Sequence, residues 1–165
     1  MAYHSFASSD EEFKNIGGFK NLISGIHHVV LKKYSEAIIK GGCETLIGCL
    51  EAQWTFKVVD GLSAGCNVCY TTPMGGYFVS KSDGMRFNAE NITKRVVLAL
   101  DPTKSDWSGF DPEDLIGKEA ELNMEAKINT DGTTSLYPKK VNWIRPWSGD
   151  ACMDKHLDLN SDVTL

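Results

Sequence analysis

Residues 115–147, LIGKEAELNMEAKINTDGTTSLYPKKVNWIRPW, constrain the fold of this chain more than any other stretch. Apolar and polar residues alternate as far as Ile128. The polar run Asn129-Thr130-Asp131-Gly132 then offers the residues a chain reversal needs, and a second stretch carries Tyr137, Lys139, Lys140, Trp143 and Arg145. Period-2 alternation on both sides of a Gly/Asn turn is the pattern of an antiparallel hairpin. Alternation in the second strand puts Lys139, Val141, Trp143 and Arg145 on one side and Ile144 on the other. Just upstream, Asp111 suits an N-cap, Pro112 the first helical position, Glu113 and Asp114 the first turn, and Gly117 the place after the last turn. That predicts a helix of one or two turns leading into the hairpin.

The same periodicity predicts three earlier strands. Residues 24–39 place Ile26, His28, Val30, Lys32 and Tyr34 on one side and His27, Val29, Leu31, Lys33 and Ser35 on the other. Residues 47–59 alternate Ala52, Trp54, Phe56 and Val58 with Glu51, Gln53, Thr55 and Lys57, so Trp54 and Phe56 are core candidates. Residues 66–72 form a shorter strand that Pro73 ends, and the glycine-rich, aromatic residues 74–87 suit a loop or a ragged strand extension. Residues 89–100 read as a helix capped by Asn88, with Glu90 in its first turn and Ile92, Val96, Ala99 and Leu100 on one face. The run Arg95-Val96-Val97-Leu98 within it reads equally well as a strand. The order is therefore mainly β with one or two short helices: three strands, a helix, two strands. That is the connectivity of a five-stranded OB-fold-like Greek-key barrel. A small β-sandwich or another partly open barrel is the runner-up.

The chain has 165 residues, enough for one domain with a sizeable core. Composition divides it into an N-terminal arm at 1–24, a domain at 25–147 and an acidic C-terminal tail at 148–165. The arm has room for a short helix at residues 10–16. The net charge of −5 is uneven: Lys/Arg and Asp/Glu nearly balance within 25–147, whereas the tail sets four aspartates against Lys155. A strongly basic nucleic-acid coat is thereby excluded, but a local basic face is not. No apolar run approaches the ~18 residues of a membrane span, and the N-terminus lacks the pattern of a signal peptide. The expectation is a cytoplasmic protein with no membrane partner. An odd number of cysteines, five, fits reduced thiols better than a disulfide framework.

The pattern Asp114-Leu115-Ile116-Gly117-Lys118-Glu119, an alternating strand, a polar turn, then Tyr137 and Val141-Asn142-Trp143-Ile144-Arg145-Pro146 resembles the C-terminal half of phage-encoded OB-fold single-stranded DNA-binding proteins. The resemblance implies a sequence-tolerant binder of single-stranded DNA in DNA replication or recombination, in the host cytoplasm if phage-encoded. It also implies an acidic tail that recruits replication or recombination proteins. Here the tail lacks the dense acid run and terminal Phe of such proteins, and a functionless terminus is an equal reading.

Single-strand binding needs cations along the phosphates and aromatic rings under the bases. In an OB barrel the ligand crosses strands 2 and 3 between the 1–2 and 4–5 loops. That selects Lys32 and Tyr34 on strand 1, Lys57 on strand 2, and Tyr70, Tyr77, Phe78 and Arg86 on strand 3 and after it. Lys127, Tyr137, Lys139, Trp143 and Arg145 belong to the last hairpin. Taken singly, Tyr70, Phe78 and Trp143 fit a core better than a stacking platform, and most lysines are simply solvated, so the case rests on their joint placement. Cys66-x2-Cys69 with Cys43 and Cys49 has the composition of a zinc site, but x2 spacing on a strand points two thiols to opposite faces, and packed or idle thiols are the simpler reading. No cofactor is expected. His27 and His28 point to opposite faces, Glu119, Glu121 and Glu125 suit a solvated strand face, and no catalytic motif is present, so an enzyme is not proposed. The competing class is a protein-binding β-domain, a host-defence inhibitor or virion component. An exposed edge strand leaves a homo-oligomer open.

Overall fold

Ala52, Trp54, Phe56 and Val58 are completely buried, as their alternation with Glu51, Gln53, Thr55 and Lys57 requires. The computed structural model describes residues 21–148, so the expected helix at 10–16 and the tail after 148 lie outside the described residues. The elements run in this order: β1 (Gly25–Ile38), a 3-10 turn (Glu44–Leu46), β2 (Leu50–Val58), β3 (Asn67–Pro73), β4 (Tyr77–Val79), β5 (Arg86–Asn88), α1 (Glu90–Leu100), a second 3-10 turn (Pro112–Leu115), β6 (Glu119–Glu125) and β7 (Lys140–Pro146).

Five strands form one antiparallel sheet in the order β3-β2-β1-β6-β7, and β4 and β5 pair separately. The chain is mainly β with one longer helix, as expected, but the sheet is not closed into a barrel. Among the described residues β3 and β7 remain its two edges. Helix α1 packs against β7, β3 and β6, so it touches both edge strands of the sheet. On the β3 edge, the Cys69 amide donates to the Leu136 carbonyl of the β6–β7 connection at 2.8 Å.

Helix α1 buries Thr93, Val96, Val97, Ala99 and Leu100. These meet Val29, Leu31, Trp54, Phe56, Val68, Ala120, Leu122 and Met124 on one face of the sheet. Leu22, before β1, also enters this core. Asn88 does not cap the helix: it pairs with Tyr77 in β5, and the N-cap residue is Ala89, with no side-chain cap. The Asp111 signature does form, with its carboxylate accepting from the Glu113 amide at 3.0 Å and Pro112 opening a 3-10 turn. No helix of the described residues is long and apolar enough to cross a membrane.

Two register shifts change the faces read from strict alternation. In β1, Leu31 pairs with Phe56 but Lys33 with Thr55, leaving Lys32 as the extra residue of a bulge. Tyr34 therefore joins Leu31 on the core side, opposite Trp54, and does not share a side with Lys32. In β7, Val141 pairs with Met124 and Trp143 with Asn123, so the odd residue is Asn142. Val141 thereby joins Ile144 against the core, while Trp143 and Arg145 stay on the outer face. The second strand also starts later than its sequence suggests, so Tyr137 and Lys139 lie in the connection before β7.

Candidate nucleic-acid interface

The outer face of the sheet, away from α1, is set by the pairs that share a side. Asn67, Lys57, Val30 and Glu119 form one row across β3, β2, β1 and β6. His28, Glu121 and Arg145 form another across β1, β6 and β7, and Ile26, Asn123 and Trp143 a third. Towards β3, Cys69, Thr55 and Lys33 line up likewise. The face thus has a polar half with lysines on β1–β3 and an aromatic half on β1, β6 and β7.

On the aromatic half the side chains are held. The Arg145 guanidinium lies 3.6 Å from the Trp143 ring centroid, and its Nε donates to Glu121 Oε1 at 2.7 Å. Glu121 is 2% exposed, so this glutamate is not the solvated residue its strand position suggests. The His28 ring lies parallel to Trp147, with centroids 3.6 Å apart and planes 5° from parallel. Its Nε2 is 2.9 Å from Glu119 Oε1 and its Nδ1 3.3 Å from Asp60 Oδ2. The other histidine, His27, faces inward, is nearly buried, and places Nε2 2.6 Å from the Ile23 carbonyl. On the polar half Lys57 is exposed, and the Oδ1 of its neighbour Asn67 is buried with no hydrogen-bond partner.

The β6–β7 connection (residues 126–139) forms an arm stapled by Ile128 pairing with Thr134 and tied to the body through Leu22 and Cys69, whose amides donate to Thr134 Oγ1 and the Leu136 carbonyl. At the tip, the Thr133 hydroxyl and amide hydrogen-bond Asp131 at 2.6 and 3.0 Å and hold its carboxyl below the usual range. The arm carries exposed Lys127, Tyr137 and Lys139.

The twelve residues selected from sequence fall into five places. Lys32 is exposed at the β1 bulge and Lys57 on the outer face. Tyr34 and Tyr70 flank buried Trp54 on the core side, Tyr34 edge-on at a centroid distance of 4.9 Å. Burial, then the Glu36 hydrogen bond and charge, keep the Tyr34 phenol above its ordinary range. Burial also raises Tyr70, against the opposing Arg95 charge. Both behave as packing residues. Tyr77, Phe78 and Arg86 come together in the β4–β5 ribbon, where Arg86 lies 3.9 Å over Tyr77 and Phe78 packs on Phe87 at 5.3 Å. Lys127, Tyr137 and Lys139 share the arm, and Trp143 and Arg145 the aromatic half of the face. Arg145 is engaged by Glu121 and Trp143, which makes it a residue that holds the face together. Cys43, Cys49 and Cys69 are free thiols, and among the described residues no group of three or more His, Cys, Asp or Glu is placed to hold a metal ion.

Sequence reasoning missed His28, Glu121 and Trp147. The available signal was Trp143-Ile144-Arg145-Pro146-Trp147, which at period 2 sends two tryptophans and an arginine to one side. No protein-family model matches this chain, and no curated protein matches its sequence.

Proposed function

We propose that this chain binds single-stranded DNA without sequence preference, in replication or recombination of the phage type and in the cytoplasm. The observation that carries the reading is one sheet face with exposed Lys33 and Lys57 on its β1–β2 half and Trp143 and Trp147 on its β7 half, with Lys127, Tyr137 and Lys139 exposed on the β6–β7 connection. Cations along phosphates and aromatic planes under bases are the two parts such binding requires. The strand order β3-β2-β1-β6-β7, with α1 between β3 and β6, supports an OB-like reading, since an OB barrel opened between its third and last strands has this order. The core-facing Tyr34 and Tyr70 drop out of the interface, and Lys33 enters it through the β1 bulge.

A titration of labelled oligo-dT by fluorescence anisotropy tests the reading. Binding is expected at low salt and falls steeply as salt rises, because each neutralised phosphate releases counterions. Lys57→Glu with Lys139→Glu is expected to weaken binding at least tenfold with an unchanged melting temperature, since both side chains are exposed. A flat titration at low salt removes the proposal.

One observation favours the second reading, a protein-binding β-domain. On one side of the β4–β5 ribbon Phe87 is exposed opposite Phe78, with exposed Met85 just before it, and an exposed apolar patch of this kind suits a protein partner. A flat oligonucleotide titration favours it.

A further inference from the structure

We infer that Trp147, laid flat on His28, is a preformed base-stacking platform for single-stranded nucleic acid; the inference rests on the DNA-binding reading above. Three elements fix the platform. His28 stands on the outer side of β1, opposite Glu121 of β6. Its two ring nitrogens face Glu119 on β6 and Asp60 in the β2–β3 connection, at 2.9 and 3.3 Å. Rotation of the imidazole breaks at least one of those contacts, so its plane is set before any ligand arrives. Trp147 copies that plane, 5° from parallel at 3.6 Å.

A planar ring held this way has already lost the side-chain freedom that stacking would otherwise consume, which is the meaning of preorganisation. Trp147 is only partly buried, and His28 stacks on one face of its ring, so the base is assigned to the opposite face. Any nucleobase meets the requirement, because every base has a π-face.

The charges nearby orient such a strand. Asp60, Glu119 and Glu121 surround the platform, and Arg145 is committed to Glu121 and Trp143. Phosphates are therefore disfavoured at the platform itself. An exposed cation on the same face is Lys57, paired across the sheet with Val30, one outward position along β1 from His28. A strand lying with bases on Trp147 and its backbone towards Lys57 satisfies both. Trp143, on the same side of β7, offers a second ring already covered by Arg145. That leaves Trp147, stacked on His28, as the platform.

The experiment uses the full chain with oligo-dT and with an oligonucleotide carrying 5-iodouracil. Trp147→Leu is expected to lower oligo-dT affinity about 10- to 100-fold and to remove part of the tryptophan quenching seen on binding. Trp147→Phe is expected to recover most of the affinity. Irradiation of the wild-type complex is expected to give an adduct on Trp147, a readout that does not depend on any variant folding. If wild type binds while both variants bind equally well, or if adducts form only elsewhere, the platform is overturned and the DNA-binding reading stands. If wild type does not bind at low salt, both fall.

Discussion

Trp54 carries an indole N–H into a completely buried position, and the core must answer it. Nε1 donates to Thr72 Oγ1 at 2.8 Å, and Thr93 Oγ1 lies 2.7 Å from Thr72 Oγ1 and 2.6 Å from the Pro73 carbonyl. One proton per hydroxyl suffices: indole to Thr72, Thr72 to Thr93, Thr93 to carbonyl. The chain links β2, β3 and α1 through polar atoms in a dry setting, where an unmade bond costs more than a made one contributes. Thr72→Val keeps the shape but strands the indole N–H, so urea denaturation is expected to show a loss of about 1–3 kcal/mol. Thr72→Ser is expected to retain most of the stability, and equal losses from the two would contradict the network. Trp54 as core was legible from alternation alone. Its partners were not, because nothing local ties position 54 to 72 and 93. The same limit hid His28–Trp147, a contact between the first strand and the end of the last.

Among the elements, departures from the regular pattern decide which side chains share a face. Strict alternation from Ile26 sends Tyr34 outward, and only the extra residue at Lys32 turns it inward. The cue was present in Leu31-Lys32-Lys33-Tyr34, where two consecutive lysines already break an apolar–polar alternation. Asn142 does the same in β7. The β4–β5 ribbon was legible only as a glycine-rich aromatic loop, because its strands are three residues each and carry no periodic signal. What makes it an element is its base. Gly76 adopts φ +80°, and a Cβ there would sit 2.6 Å from the Thr45 carbonyl oxygen and 2.8 Å from Leu46 Cδ2. The Thr45 hydroxyl donates to the Tyr77 carbonyl across the same junction. At the ribbon tip Gly84 also has positive φ, +70°, but a Cβ would meet nothing within 4 Å. Gly84→Ala is therefore expected to cost about 1 kcal/mol, from backbone conformation alone. Gly76→Ala adds a steric clash and is expected to cost about 2 kcal/mol or more. Equilibrium unfolding of the two variants side by side checks the order, and a larger loss at Gly84 would rule out the close approach as the anchor.

For the whole molecule, the five strands of the main sheet were readable from punctuation and periodicity, but the β4–β5 pair and closure were not, since closure depends on how far the edges curve around α1. The open sheet has a dynamic consequence. From Gly25 to Val30, β1 is paired on one side with β6, and from Val29 onward it is paired on the other with β2. The Leu31 amide still reaches the Lys118 carbonyl, and beyond the Lys32 bulge β2 alone continues among the described residues. The centre of β1 therefore lies inside the sheet, with its amides over the buried side chains Val29 and Leu31, whereas its second half is bonded along one edge. Local opening free energies follow such differences in bonding and burial. Hydrogen exchange is expected to be slowest for Val29, Val30 and Leu31 and for Trp54 and Phe56 of β2, and distinctly faster for residues 35–38. The β4–β5 ribbon, two short strands with Val79, Met85 and Phe87 exposed, is expected to exchange first among the strands. Uniform protection along all fourteen residues of β1 would mean that its second half has another partner in solution. Closure of the sheet on itself, or pairing with a second copy, would each produce that result, and exchange at two protein concentrations separates them.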